Sequence, residues 1–280
     1  MIERECAGFT TEVRDDGVCV VSLNRPERMN GLRRAVKRDL VELATQIAYR
    51  REVRCVVLTG GPNFCAGDDV TPGVQDDWDG AVSRRVDPSH HDHFATYASL
   101  RAISQNATRA WKSLDVLTVA AIDGFAIQSG LSLALACDFR IATPRARLGS
   151  ATLRMGYLPD EGGHHLLVQY LGVPVAKDFV FRKRIVDGAE ALRLGLVNEL
   201  AEPDELMPRA LAFAAELAEG PQVAMRLLKH AIDAAPHMTF EQACVDIATR
   251  TAISDHHPDA KEGVRAFAAK PRRKPAFNQG

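Results

Sequence analysis

The chain has 280 residues, of which 46% are hydrophobic and 25% are charged, so it can bury the core of one soluble globular domain with a modest extension. Its formal net charge of −1 provides no global field that would favour nucleic acid or an anionic membrane surface. Residues 1–19 contain no apolar signal region, and no run approaches the roughly 20 apolar residues that a membrane span requires. We therefore expect a cytoplasmic protein with neither nucleic-acid nor membrane partners.

Residues 1–200 alternate between strand and helix patterns. Strands are predicted over 17–23, 55–59, 116–122 and 139–143, a helix over 34–50, and a polar flap that leads into a second helix over 87–114. Within 34–50, the apolar residues Val36, Leu40, Leu43 and Ile47 share one helical face. Strands that return after helices indicate an α/β architecture in which helices cover a sheet.

From about residue 201 onward only helix patterns remain. Leu206, Ala210, Phe213 and Leu217 fall in register on a helix that the pair Pro203-Asp204 opens, and Thr239 with Gln242 predicts a capping box for a later helix. This region is too small and too apolar along its faces to stand alone. We therefore divide the chain into a core over 1–200 and a helical region over 201–280 that packs on the core or on a neighbouring subunit.

The six cysteines are scattered and form no CxxC pair. Cys19, Cys55 and Cys137 lie in apolar, strand-like segments. This pattern favours buried thiols in a reducing compartment over disulfides or a metal site.

Two segments, 55–70 and 121–143, each combine a buried strand, a tight turn of small residues and the start of a helix. Such a turn leaves backbone N–H groups unpaired, and the helix dipole adds positive potential there. Two facing turns of this kind would form a pocket for a developing oxyanion, which indicates thioester chemistry.

Five motifs in the chain resemble those of the crotonase (enoyl-CoA hydratase/isomerase) superfamily. They are LNRPERMNGL at 23–32, VVLTGGPNFCAGDDV at 56–70, IDGFAIQSGLSLALACDFRIAT at 122–143, GYLPDEGG at 156–163 and RKPAF at 273–277. The resemblance covers essentially the whole chain, with the motifs in the family's order and spacing.

The resemblance implies a spiral of ββα units with a C-terminal helical region that forms a homotrimer, often paired into a homohexamer. The implied ligand is an acyl-CoA, with no metal and no cofactor apart from the coenzyme A of the substrate. Its thioester oxygen would lie between the N–H groups of Asp68 and Ser129. Carried over by position, the expected coenzyme A contacts are Arg28, Met29, Ala66, Asp68, Asp69, Val70, Gly130 and, in the basic tail, Lys274.

The side chains of Asp68 and Asp69 have a simpler alternative role. Either carboxylate could cap a helix that follows the first turn. If the backbone N–H of Asp68 donates a hydrogen bond to the oxyanion, we expect the Asp68 carboxylate to point away from the developing charge.

The sequence departs from the family where hydratases carry a pair of glutamates. Those positions fall on Ser132 and Thr152, and a hydroxyl without its own activator has no useful pKa near neutrality. Gln128 and Ser129 also stand where the family usually has glycines. The ordinary hydratase mechanism is therefore not supported by these residues.

Substitute acids follow in the turn at 158–163, which we predict to enter a helix near Asp160. Relatives that dehalogenate aromatic acyl-CoAs or isomerise dienoyl-CoAs are similar in carrying a working aspartate that matches Asp160. The family's β-diketone hydrolases carry an acid that matches Glu161 and a histidine that matches His164. On the predicted helix His164 lies one turn beyond Asp160, where it could serve as a proton carrier. Adjacent helical residues diverge by about 100°, so we expect only one acid to face the substrate, with Asp160 ranked first. The alternative role of both acids is capping the helix.

Several candidates remain outside this assignment. The histidines of the flap, His90, His91 and His93, are interpreted as solvated residues rather than metal ligands. Asp76, Asp77 and Trp78 of the flap would border the acyl pocket. Hydration, double-bond isomerisation and C–C hydrolysis of a β-diketone are left open, as is a catalytically silent acyl-CoA-binding protein.

Overall fold

A computed structural model describes residue 6 and residues 8–70 and 93–279 of the chain. The flap residues Asp76, Asp77, Trp78, His90 and His91 lie outside the described residues.

Within the described part of the chain, nine strands form two sheets. In chain order they are β1 (Phe9–Val13), β2 (Val18–Leu23), β3 (Cys55–Thr59), β4 (Leu117–Ile122), β5 (Phe125–Ile127), β6 (Phe139–Ala142), β7 (Arg147–Gly149), β8 (Ile185–Asp187) and β9 (Glu199–Leu200). The larger sheet has the order β1-β2-β3-β4-β6-β9, and all of its pairs are parallel except β1 with β2. The smaller sheet has the order β5-β7-β8.

The helices follow the same chain order. They are α1 (Arg34–Ala48), α2 (His93–Ser99), α3 (Gln105–Lys112), α4 (Ser129–Ala136), α5 (Gly163–Phe181), α6 (Gly188–Arg193), α7 (Leu206–Glu219), α8 (Gln222–Ala234), α9 (Phe240–Ser254) and α10 (Pro258–Ala268), with a π-helical turn (Leu100–Ser104) between α2 and α3. Twice, one strand of the large sheet is followed by one of the small sheet and then a helix, as β4-β5-α4 and β6-β7-α5. This repetition is the predicted α/β spiral of ββα units.

The central strands are apolar along their whole length because both faces of the large sheet are covered. Every residue of β3 is buried, and alternate side chains enter two different hydrophobic clusters. Val56 and Leu58 pack in the cluster that includes the apolar face of α1, whereas Val57 packs in the cluster that includes α7. The predicted strands and α1 are confirmed to within about two residues at their ends, the usual uncertainty of such boundaries.

The region over 201–280 packs partly on this core. Helix α7 buries Ala210, Ala214 and Ala218 against the sheet. Helix α8 is fixed by the buried Lys229, whose ammonium donates to Asp138 Oδ2 at 2.8 Å and to the Val116 carbonyl at 2.9 Å. By contrast, the apolar side chains of Phe240, Val245, Ile247 and Ile253 on α9 are exposed in the single chain. The capping box of Thr239 and Gln242 is confirmed, while the oligomeric state stays a prediction.

Three local predictions need correction. The helix predicted to begin near Asp160 begins at Gly163, and the helix predicted from residue 203 begins at Leu206. Cys137 lies just after α4 rather than in a strand, although it is buried as predicted. Cys55, Cys65 and Cys137 are buried free thiols, and Cys244 is an exposed one. Among the residues described, no helix has the length and apolar character needed to cross a membrane.

Candidate active site

The first turn is built around Asp68, in the segment that follows β3. Leu32 pairs with this segment in a parallel bridge, in which the Leu32 N–H donates to the Gly67 carbonyl at 2.8 Å and the Asp69 N–H donates to the Leu32 carbonyl at 3.0 Å. Because successive backbone amides of an extended chain point to opposite sides, the N–H of Asp68 faces away from Leu32. It faces the site.

The second turn ends at Ser129, the first residue of α4. The N–H of a first helical residue has no acceptor within its own helix. The preceding Gln128 has a φ of 48° and a ψ of −105°, a left-handed conformation that glycine adopts more readily than glutamine. Its N–H donates to the Gly149 carbonyl at 2.9 Å, which anchors the turn to the small sheet.

Backbone hydrogen bonds join the two turns directly. The Cys65 N–H donates to the Phe125 carbonyl at 2.7 Å, and the Ile127 N–H donates to the Cys65 carbonyl at 2.9 Å. Gly130 is required at this junction, because a Cβ there would lie 2.2 Å from the Cys65 carbonyl oxygen. The turns consequently contribute Asp68 and Ser129 to the wall of one cavity of about 540 Å³.

Asp160 and Glu161 line the same cavity. Both precede α5, and Gly162 takes a left-handed conformation with φ 89° before the helix begins. The expected 100° divergence between them therefore does not apply, since neither residue is helical. Instead, the turn brings both acids to the wall that Asp68 and Ser129 form.

Glu161 is fixed in place by its hydrogen bonds. Its residue surface is only 4% exposed. Its Oε1 atom makes a short hydrogen bond with the Ser129 hydroxyl, and its Oε2 atom accepts from Gln128 Nε2 at 3.1 Å. Both carboxylate oxygens of Glu161 are thus engaged by the second turn.

Asp160 is partly buried, and its environment disfavours the charged form. Burial raises the pKa of Asp160 to about 7, with further increases from the nearby Glu161 and Asp68 carboxylates and an opposing effect of Lys37. A carboxyl with this pKa exists in both protonation states near neutrality, as a general acid or base requires.

The carboxylate of Asp68 does not point away from the site as expected. Its Oδ2 atom accepts from Lys37 Nζ at 2.7 Å, and its Oδ1 atom lies 2.5 Å from the Ser129 hydroxyl. The physical reason is Lys37, a buried ammonium on α1 that compensates this charge. The buried carboxylate of Asp69 pairs with Arg25 at 2.9 Å, and a helix that either aspartate was predicted to cap would fall outside the described residues.

The two positions that the family fills with glutamates hold small hydroxyl side chains inside the site. Ser132 is buried below α5, where a Cβ on Gly163 would come within 2.1 Å of its hydroxyl. Thr152 lines the cavity and donates its hydroxyl to Gln128 Oε1 at 3.2 Å.

The predicted residues His164 and Lys274 are both exposed in the single chain and do not line the cavity. His164 is exposed on α5 and is absent from the cavity lining. Lys274 is exposed at the surface and pairs with the Glu219 carboxylate. A histidine one turn after Asp160 would need a helix that began at Asp160, and this helix begins later.

The expected coenzyme A contacts differ in their position relative to the cavity. Ala66 and Val70 line it, and Val70 is exposed. Arg28 and Met29 are exposed just before the bridge to Asp68, and the Met29 carbonyl accepts from the Ala66 N–H at 2.9 Å. Gly130 acts through packing, because it lies buried beneath Cys65.

Sequence reasoning missed Lys37 and gave Gln128 no role. Lys37 lies three residues before Leu40, on the apolar side of α1, and a lysine there signals burial with an acidic partner. Its pKa is lowered by burial, but Asp68, Glu161 and Asp160 more than offset this effect and raise it, so Lys37 is charged. In the sequence, Gln128 stood out only because it occupies a position where the family usually has glycine.

Comparisons of the sequence and the fold with known proteins point to one family. The sequence model of the Enoyl-CoA hydratase/isomerase family matches residues 13–280. The human enoyl-CoA hydratase domain-containing protein 2, mitochondrial, is 34% identical over 277 residues, which cover 94% of this chain and 86% of that protein. Crotonyl-CoA hydratase of Syntrophomonas wolfei is 27% identical over 259 residues, covering 92% of this chain and 94% of that protein.

A solved structure gives the same result for the fold. The crystal structure of enoyl-CoA hydratase from Bacillus anthracis matches with a TM-score of 0.86 at 27% identity, covering 98% of this chain and 100% of that chain. Together with the two turns that line one cavity, these matches lead to one conclusion. The chain belongs to the enoyl-CoA hydratase/isomerase family of the crotonase superfamily.

Proposed function

We propose that this enzyme binds an acyl-CoA and polarises its thioester carbonyl between the N–H groups of Asp68 and Ser129. A carbonyl held in this way can become an enolate, and a preorganised donor contributes about 3 kcal/mol to such a transition state. The observation that carries the proposal is the single cavity that these two residues share with Asp160.

Asp160 is the acid–base group of this proposal. Its pKa of about 7 suits proton transfer at neutral pH, and its carboxyl is less enclosed than that of Glu161. Glu161, with both oxygens hydrogen-bonded to the second turn, is a positioning residue in this scheme. The exposure of His164 removes the support for a β-diketone hydrolase, which would need Glu161 and His164 together.

The remaining expectations concern the substrate and the assembly. The adenosine part of coenzyme A would bind at the mouth, near Met29, Ala66 and Val70, with Arg28 and Lys274 as candidate phosphate contacts. A second cavity of about 410 Å³, which Asp68 and Asp160 also line, offers apolar surface from Leu100 and Ile103 for an acyl chain. No further cofactor is proposed. A homotrimer or homohexamer, in the cytoplasm, stays the expectation for the assembly.

The proposal is tested by turnover of a panel of 2-enoyl- and 3-enoyl-CoA thioesters of increasing chain length. The substitution Asp160→Asn should lower kcat at least about a hundredfold, because it removes an acid–base group and leaves its size unchanged. Asp204→Asn is the matched control, since Asp204 is exposed just before α7. A near-normal rate in Asp160→Asn would reject this assignment.

Calorimetry with the same thioesters distinguishes an enzyme from a catalytically silent acyl-CoA-binding protein. Tight binding of acyl-CoA with no turnover of any member of the panel would instead support an acyl-CoA-binding protein. That result would follow from the hydroxyl side chains of Ser132 and Thr152 at the family's glutamate positions.

A further inference from the structure

The hydroxyl of Ser129 lies between two carboxyl groups. Its Oγ atom is 2.5 Å from Asp68 Oδ1 and makes a short hydrogen bond with Glu161 Oε1. A hydroxyl has one proton, so it can donate to only one of these oxygens. The other contact is a hydrogen bond only if a carboxyl donates to Ser129 Oγ. The site therefore holds at least one carboxyl proton in this arrangement.

Further charged groups lie next to both carboxyls that contact Ser129. Asp160 and Glu161 both line the 540 Å³ cavity, and the nearby Glu161 carboxyl helps to raise the pKa of Asp160. At the other end, Asp68 Oδ2 accepts from Lys37 Nζ, which also donates to Ser104 Oγ at 2.9 Å. The hydrogen-bonded series therefore runs from Glu161 through Ser129 and Asp68 to Lys37, and Asp160 is the neighbour of Glu161 on the same cavity wall.

Asp68 and Asp160 both border the space that is available to a substrate. Asp68 and Asp160 line the 540 Å³ cavity and the 410 Å³ cavity, and the side chain of Asp68 is 29% exposed. The N–H of Asp68 would hold the thioester oxygen, so its own carboxyl is held close to the same carbonyl. Lys37 stabilises this arrangement, because its positive charge offsets the negative charge of a carboxylate beside a developing oxyanion.

We propose that the Asp68 carboxyl is a second acid–base group of this site, and that the Ser129 hydroxyl relays a proton between Asp68 and Glu161 and so to Asp160. The identity of the substrate rests on the proposed function. The protonation of the site does not, because it follows from the free protein.

The relay balances without a co-reactant. As a substrate C–H bond breaks, its proton forms an O–H bond on Asp160 and its electron pair passes into the enolate. The relay starts with Glu161 protonated and Asp68 ionised. Glu161 gives its proton to Ser129 Oγ, the original Ser129 proton moves to Asp68, and Asp160 passes the substrate proton to Glu161, which regains its starting state. Asp68 then protonates another carbon of the same substrate. A second acid of this kind suits migration of a double bond within an unsaturated acyl-CoA.

The first test needs no substrate. The carboxylic-acid C=O band in the infrared spectrum of the free protein is followed from pH 4 to pH 9. In Ser129→Ala the midpoint of this titration should rise by about one pH unit, because the ionised carboxylates lose a donor while the backbone N–H is kept. Ser150→Ala is the control, since that buried hydroxyl contacts Gln128 and no carboxylate within the described residues. A Ser129→Ala titration identical to that of the unmodified protein would overturn the relay.

The second test uses turnover. Asp68→Asn keeps both the N–H and the size of the side chain, and it should lower kcat about a hundredfold with little change in KM. Ser129→Ala should lower kcat in the same direction and shift its pH profile, whereas Ser150→Ala should leave both unchanged. Full activity with an unshifted profile in Asp68→Asn and Ser129→Ala, beside an inactive Asp160→Asn, would overturn the relay alone. If the unmodified protein turned over no acyl-CoA, the proposed function would fail, and the infrared titration would still decide the protonation.

Discussion

Replacement of Lys37 by methionine should destabilise the protein by about 3 kcal/mol at pH 7. The Lys37 ammonium is 2.7 Å from Asp68 Oδ2, and its side chain is 4% exposed. At an effective dielectric constant near 20, two unit charges at this separation attract by about 6 kcal/mol before the cost of dehydration. Loss of one partner of a buried pair typically costs about 3–5 kcal/mol, because the remaining charge is left uncompensated. The partial exposure of Asp68 favours the lower end of this range.

The assay is urea denaturation followed by circular dichroism at pH 7, with methionine chosen because it fills a similar volume without a charge. The double variant Lys37→Met/Asp68→Asn should recover most of the lost stability, since it also removes the unpaired carboxylate. The loss should shrink as the pH falls and the carboxyl groups become protonated. An unchanged unfolding midpoint in Lys37→Met, or a double variant no more stable than the single one, would refute the argument.

Four further predictions concern stability and reactivity. The folded-state pKa of Asp160 is about 7 against an ordinary 3.8, so the unmodified protein loses stability as the pH rises between these values. Asp160→Asn lacks this ionisation, so its stability relative to the unmodified protein should increase from pH 4 to pH 7. Urea titrations that give the same stability difference at pH 4 and pH 8 would contradict this prediction. Gln128→Ala should be less stable than Gln128→Gly by about 1–2 kcal/mol, because glycine relieves the left-handed backbone; equal melting temperatures would show no strain there. Gly130→Ala should cost about 3 kcal/mol or more in thermal unfolding, because its Cβ would meet the Cys65 carbonyl, and a wild-type melting temperature would exclude that clash. A thiol reagent should modify the exposed Cys244 first and Cys65 only on unfolding, since burial raises the pKa of Cys65 to about 12; peptide mapping would reveal the reverse order.

The sequence by itself determined the elements whose signals are local. Apolar runs specified the buried strand Cys55–Thr59, and the spacing of Val36 and Leu40 specified the amphipathic helix Arg34–Ala48. The capping box at Thr239 was equally readable, because its partners lie three residues apart. The motifs around the two turns were sufficient for the family, since their order and spacing extend over most of the chain.

Only the tertiary structure decided how the charges of the site are arranged. Lys37 meets Asp68 across 31 positions in the sequence, and Asp68 meets Ser129 across 61. No local pattern encodes such contacts, because hydrogen bonds and compensation of buried charge depend on distances in space. The start of α5 at Gly163 was decided in the same way, and with it the burial of Glu161 and the exposure of His164. The turn at Gly162 frees both acids from helical geometry and directs them to the cavity that the folded chain encloses.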